Sequence, residues 1–330
     1  MKLLIVAPSW IGDMVIAQTL FKALQTRYGV SAIIDVVAPK WALDICGRMS
    51  EVRKTILLDI KHGEFGLKKR YTLGKKLRSE RYDRAIVMPT TFKSALIPFF
   101  AHIPIRSGLL GEMRFGVIND IKKTHSKKPT MIEKYLALDD ITAAPQFPAL
   151  SVDQNNREKL LKKLKLNAAK PIAALFVGAE YGEAKRWSAE NFGDLANRLI
   201  ADNYAVWIFG SSNDRAISAK ITAIASQAVD LCGKTTLTDA IDLISLAQTA
   251  ICNDSGLMHI GAATGVKITA IYGSSTPDYT PPLTDKKTIV SLNLPCSPCF
   301  ERVCPLGHTN CLNNITPQMV MEALYKLTDG

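Results

Sequence analysis

Apolar residues fall along this chain in two rhythms. Short apolar runs recur at 2–7, 32–37, 54–58, 84–87, 172–177, 205–209, 229–231, 251–253 and 267–272, and such runs predict strands, the fully apolar ones covered on both faces. Between them lie segments at 14–28, 66–81, 189–202, 213–225 and 237–246 whose apolar positions repeat at helical spacing. Strand alternating with helix predicts an α/β protein with parallel, doubly wound sheets. At 143–151 the rhythm stops in the proline-rich stretch Ala-Ala-Pro-Gln-Phe-Pro-Ala-Leu-Ser, a charged amphipathic helix follows at 155–164, and the alternation then begins again. Two Rossmann-like domains, 1–150 and 151–330, are therefore expected to face each other across a cleft lined by strand ends, the favoured place for a ligand. The final helix, 317–327, has Thr316 as cap and Pro317 at its first position, and is expected to pack back on the first domain.

Composition narrows the class. The 330 residues are 47% hydrophobic, enough for two cores. No apolar run approaches the roughly 20 residues of a membrane span, and the best candidate, 94–105, is broken by Pro98, His102 and Pro104. Pro8 and Asp13 interrupt the N-terminal run before it resembles a secretion signal, so it reads as a strand. Net charge is +11, with lysine clusters at 68–69, 75–76, 122–123 and 127–128. Such a surplus suits a nucleic acid, an anionic membrane face or a phosphorylated substrate. Basic and aromatic groups are not interleaved as in a nucleic-acid-binding module, which argues against the first. Seven cysteines without a secretion signal suggest reduced thiols in a cytoplasm. Four of them, Cys296, Cys299, Cys304 and Cys311, cluster near His308 and form a structural loop that holds zinc, free thiols or an oxidation-sensitive pair.

Candidate chemistry gathers at the strand ends. Residues 249–273 read as a β-turn-α-β unit in which Asn253 and Asp254 end a strand and a small-residue helix runs from Gly256 to Thr264. Asp254 and Ser255 suit the cap position, and the free amides and positive dipole end of that helix favour a phosphate against Gly256. His259 lies about one and a half turns further on, within reach of the same mouth. The loop 178–188 follows the first strand of the second domain and carries Lys185, placed to neutralise a diphosphate. Asp214, after the next strand, reads more readily as a helix cap than as a ribose contact. In the first domain only Gly12 stands where a dinucleotide fold needs three glycines, which removes most support for a nicotinamide dehydrogenase. Asp13, at the end of the first strand, reads equally as an active-site carboxylate and as the cap of a helix beginning at Met14. Residues 90–100 and 106–119 mix Lys93, Arg106, Glu112 and Arg114 with glycines and aromatics, more like a binding surface than a buried element.

Several stretches together are specific: 7–14 (Ala-Pro-Ser-Trp-Ile-Gly-Asp-Met), 91–100, 111–116, 184–187 (Ala-Lys-Arg-Trp), 253–259 (Asn-Asp-Ser-Gly-Leu-Met-His) and 272–282. Through them, over essentially its full length, the chain resembles the ADP-heptose:lipopolysaccharide heptosyltransferases of glycosyltransferase family 9. The resemblance implies a GT-B fold and an inverting, metal-independent transfer of heptose from ADP-heptose to heptosyl-Kdo2-lipid A, with no cofactor. It implies Asp13 as general base and a donor site of Glu180, Lys185, Asp214, Thr235, Asp254, Ser255, Gly256 and His259. An acceptor site would comprise Ser9, Trp10, Gly12, Lys93, Arg106 and Arg114. The positive charge would then serve docking on the anionic cytoplasmic face of the inner membrane. Competing readings are a family paralogue with another core acceptor and a nucleotide-sugar epimerase of the same fold.

Overall fold

The computed structural model describes residues 1–29, 31–61 and 63–328. It divides into two compact units, with the boundary between Ser151 and Val152.

The first unit holds six parallel strands: β1 (Lys2–Val6), β2 (Ile33–Ala38), β3 (Val52–Leu57), β4 (Arg84–Val87), β5 (Ile105–Leu109) and β6 (Asp120–Lys122), in the order β3-β2-β1-β4-β5-β6. Its helices are α1 (Ile11–Tyr28), α2 (Lys40–Cys46), α3 (Leu67–Leu77), α4 (Phe92–Phe100) and α5 (Met131–Leu136). Buried Leu4, Val37, Ala85 and Ile97 form one apolar cluster, and Val6, Val87, Ala95 and Ile118 another. β1 and β4 are the strands that the apolar runs made most legible, and they are the central pair.

Of the stretches 90–100 and 106–119, expected as a binding surface, about half the residues belong to α4 and β5, and most of 110–117 lies exposed just after β5. Its polar residues hid the strand because they are buried in partnership. Arg84 on β4 donates to the Ser107 hydroxyl (2.7 Å) and pairs with Asp120 (2.8 Å) and with Asp139, which is 1% exposed. Ser107 in turn donates to Asp120 at 2.6 Å. Ionic and hydroxyl groups that satisfy one another tolerate burial that each alone would not.

The second unit repeats the plan with β7 (Ile172–Phe176), β8 (Ala205–Phe209), β9 (Val229–Asp230), β10 (Thr249–Asn253), β11 (Lys267–Ile271) and β12 (Lys287–Val290), in the order β12-β11-β10-β7-β8-β9, all parallel. Its helices are α6 (Gln154–Lys163), α7 (Ala189–Ala201), α8 (Arg215–Ile224), α9 (Leu237–Ile244), α10 (Gly256–Ala263), α11 (Asn310–Asn313) and α12 (Pro317–Thr328). Gly265, at φ +85°, supplies the left-handed turn that ends α10 and feeds β11. One large core joins Leu175, Val206, Ile208 and Ile251 to Trp187, Phe192 and Leu195. α12 adds buried Val320, Met321 and Leu324 to that core and packs on α7, β11 and β12, all within its own unit. β12 escaped the sequence reading because it is an edge strand led by Lys286 and Lys287, a placement that favours charge.

Candidate active site

Open α/β sheets bind ligands where the strand order reverses, outside the carboxyl ends of the strands. That reversal falls between β1 and β4 in the first unit and between β7 and β10 in the second. The loops that leave these four strand ends, together with the first turns of the helices that follow them, carry most of the residues singled out by sequence.

In the second unit, Asn253 at the end of β10 is fully buried and acts as a clip. Its side chain donates to the Val177 carbonyl at the end of β7 (3.0 Å) and accepts from the Trp187 amide (3.0 Å). Trp187, also fully buried, donates through its indole to the Ile315 carbonyl (2.9 Å) and stacks edge-on against Phe192. Between these anchors the chain makes a single 3-10 turn, Glu183–Lys185, which directs Lys185 toward the start of α10. There its ammonium meets the Asp254 carboxylate at 2.5 Å; both side chains are largely buried. Asn253 and Trp187 had no role assigned from sequence. The only available signal was their adjacency to Asp254 and Lys185.

Ser255 is the N-cap of α10, but its hydroxyl makes no capping bond. That hydroxyl is buried and finds no protein partner among the described residues, and the same holds for Nδ1 of His259 and the hydroxyls of Ser274 and Ser275, just beyond the adjacent β11. Buried polar groups are nearly always hydrogen-bonded, so these four groups, at the start of α10 and just beyond β11, are available to bond a ligand or water. Ser274 and Ser275 are additions to the residues expected from sequence. Gly256, the first residue of α10, and Leu257 are half-exposed beside them.

His259 is 5% exposed, and burial pushes its imidazole down to about 4, with Lys185 acting in the same direction and Asp254 against it. It is therefore neutral at pH 7. Between pH 6.5 and 4 the unfolded chain binds a proton that the folded chain refuses, so this group's contribution to stability is full above 6.5 and is lost as pH falls. His259→Gln should therefore reduce the acid sensitivity of urea unfolding between pH 7 and pH 4.5, by about 2 kcal/mol. An identical pH dependence in both proteins would contradict the burial of a neutral ring.

The remaining donor candidates separate. Asp214 is 7% exposed and caps its own turn, accepting from the Ser211 amide and hydroxyl, both at 2.8 Å, as the capping alternative predicts. Glu180 is exposed, and Thr235 is half-exposed immediately before Thr236, the N-cap of α9.

In the first unit, α1 begins at Ile11 with Trp10 as its N-cap. Asp13 is thus the third helical residue and not the cap of a helix starting at Met14. It is half-exposed in the positive first turn. Ser9 and Trp10 beside it are exposed, and Gly12 is half-exposed. Lys93, in the first turn of α4, is half-exposed and donates to the Glu64 carbonyl at 3.5 Å.

Arg106 and Arg114, both expected in the acceptor site, are held by backbone carbonyls, Arg106 half-exposed and Arg114 buried. Arg114 is 1% exposed, and its guanidinium donates to the carbonyls of Pro89 (2.7 Å) and Leu109. Arg106 donates to the carbonyls of Val117 (2.7 Å), Ile103 (2.6 Å) and Gly116 (3.1 Å). Both shape the 110–118 loop, because backbone carbonyls left unpaired there would be costly.

All seven cysteines are free thiols, with Cys296, Cys299 and Cys304 half-buried and Cys311 buried. Among the described residues no three His, Cys, Asp or Glu side chains are disposed to hold a metal. The Cys304 thiol is held below its ordinary range by the backbone amides of residues 306–309.

Comparison with known proteins identifies the family. A sequence profile of glycosyltransferase family 9 (heptosyltransferase) matches residues 70–310. Lipopolysaccharide heptosyltransferase 2 of Escherichia coli K12 is 38% identical over 99% of this chain and 98% of that protein. Lipooligosaccharide heptosyltransferase 2 of Haemophilus influenzae Rd is 40% identical over 99% of each. The solved structure of E. coli ADP-heptose lps heptosyltransferase II superimposes with a TM-score of 0.87 at 37% identity, covering 99% of this chain and 98% of that one. Sequence and fold agree over the whole length, two six-stranded parallel sheets of the GT-B kind included, and the chain belongs to glycosyltransferase family 9, the heptosyltransferases.

Proposed function

We propose that this glycosyltransferase moves heptose from ADP-heptose onto a heptosyl-Kdo2-lipid A acceptor in building the inner core of lipopolysaccharide, with inversion and without a divalent metal. Near full-length similarity to heptosyltransferase 2 proteins supports the substrate pair. The site observation that carries the reading is the Lys185–Asp254 pair at the start of α10, amid unpartnered buried hydroxyls.

The donor diphosphate lies against the first amides of α10, where the helix dipole and Lys185 stabilise the charge that grows as ADP departs. Lys185 supplies positive charge where other sugar-nucleotide enzymes use a cation. Asp254, itself an anion, does not bind the phosphates. It holds Lys185 extended and accepts from a sugar or ribose hydroxyl. Asp13, half-exposed at the strand end of the first unit, takes the proton from the acceptor hydroxyl as that oxygen attacks the anomeric carbon opposite ADP.

Among the described residues no helix is long and apolar enough to cross a membrane. A lipid acceptor is instead met at the cytoplasmic surface, where Lys93 and the lysine-rich helix α3 attract Kdo carboxylates, lipid A phosphates and anionic lipid.

The test is mass spectrometry of the product formed from ADP-heptose and defined heptosyl-Kdo2-lipid A, in the presence of a chelator. One added heptose at full rate is the expected result. Strict dependence on magnesium or manganese would overturn the metal-independent mechanism, and conversion of the sugar in a donor-only incubation would favour the epimerase.

A further inference from the structure

The cysteine-bearing segment 293–309 is not used by the chemistry above, yet it touches the loop that carries Lys185 at several points. The Arg302 carbonyl accepts from the Ala184 amide at 3.1 Å. Gly182 lies so close to it that a Cβ would overlap the Arg302 backbone, coming within 2.9 Å of its Cα. The Tyr181 hydroxyl donates to the Phe300 carbonyl at 2.6 Å. The Tyr181 ring lies between two cations, with the Arg302 guanidinium 5.1 Å from its centroid and the Lys185 ammonium 4.9 Å away.

The same segment grips the other side of the site. The Phe300 amide donates to the Ser274 carbonyl at 2.7 Å, and the Ser297 hydroxyl donates to the Gly273 carbonyl. Phe300 thus turns its N–H to one loop and its C=O to the other, and it does so at φ +59°. A bulky side chain rarely adopts that conformation, and it persists only where surrounding contacts over-determine it.

The geometry points to residues 296–304 as a strap whose role is to position the donor loops, with Tyr181 as the positioning residue that transmits its hold to Lys185. This deepens the proposed function and rests on the reading of Lys185 as the donor-phosphate ligand. The ring of Tyr181 fixes the ammonium by cation–π attraction on one side while Asp254 fixes it on the other. The strap fixes the ring. A lysine stem has several rotors, and holding it before the ligand arrives removes an ordering cost from binding.

Two variants test this, Tyr181→Leu and Gly182→Ala, read by calorimetric ADP binding, by the Michaelis constants for donor and acceptor, and by thermal unfolding. Both should raise the donor KM and the ADP Kd by about tenfold, leaving acceptor KM and kcat within about twofold. Tyr181→Phe, which keeps the ring but loses the strap's bond at Phe300, should weaken ADP binding by an intermediate factor of about threefold, and parental affinity in it would overturn the strap's hold on the ring. Leu306→Ala, exposed in the same segment, should bind ADP as the parent does. Unchanged ADP affinity in Tyr181→Leu, alongside the weakening expected of Lys185→Ala, would overturn the strap and leave the donor site standing. Unchanged affinity in Lys185→Ala would overturn both. Should Gly182→Ala not fold, Tyr181→Leu and Tyr181→Phe decide the matter, because Tyr181 is half-exposed and outside the core.

Discussion

Asp13→Asn is expected to lower kcat by about a hundred- to ten-thousandfold, the range lost when a general base is removed, while ADP binds as before. Asparagine keeps the size and the hydrogen-bonding plane of the side chain but cannot take a proton. The variant separates two roles that coincide at this position. Asp13 also sits in the first turn of α1, where a carboxylate stabilises the helix through its dipole by about 0.3–1 kcal/mol. If that were its only role, thermal unfolding would shift slightly and turnover would remain near wild type. Single-turnover kinetics with saturating donor and acceptor would then show a normal chemical step, and the assignment of Asp13 as base would fail.

The second large effect is expected of Lys185→Met, which should weaken ADP binding by roughly a hundredfold, the scale of a lost charge-assisted hydrogen bond. The same substitution leaves the Asp254 carboxylate buried without its cation, which costs on the order of 3–5 kcal/mol of stability. Loss of fold would by itself abolish binding, and a second variant separates the two. Lys185→Met combined with Asp254→Asn removes the stranded charge, so unfolding in urea should return toward the parent value while ADP affinity stays low. Recovery of affinity with stability would mean that Lys185 serves the fold alone. A buried pair replaced by neutral groups is often no less stable, which gives the double variant its expected direction.

Much of this architecture could be read from the chain because parallel strands covered on both faces must be apolar on both faces. β1, β4, β7, β8, β10 and β11 announce themselves in that way. The strands that escaped notice are those whose sequence is mixed for a physical reason. β5 buries Ser107 against Arg84 and Asp120, and β12 lies at an edge and begins with a lysine. Sequence spacing placed Lys185 and Asp254 each at a strand end, but their contact spans 69 residues and follows only from the strand order that sets β7 beside β10. The carbonyl partners of Arg106 and Arg114 were illegible for the complementary reason. A guanidinium has five donors, and nothing in the local sequence tells whether they face an incoming anion or the carbonyls of a nearby loop. The start of α1 was misjudged by three residues, because Trp10 is not a residue type that signals a cap.

The place of α12 in the second core sets an order on synthesis. Met1 to Ser151 contain every strand of the first sheet, so that half has all its parts once the ribosome has passed them. The other half waits for Val320, Met321 and Leu324, which close over β11 and β12 from a helix made after every strand. A nascent chain halted before Pro317 would leave bare the oily face that these three side chains cover.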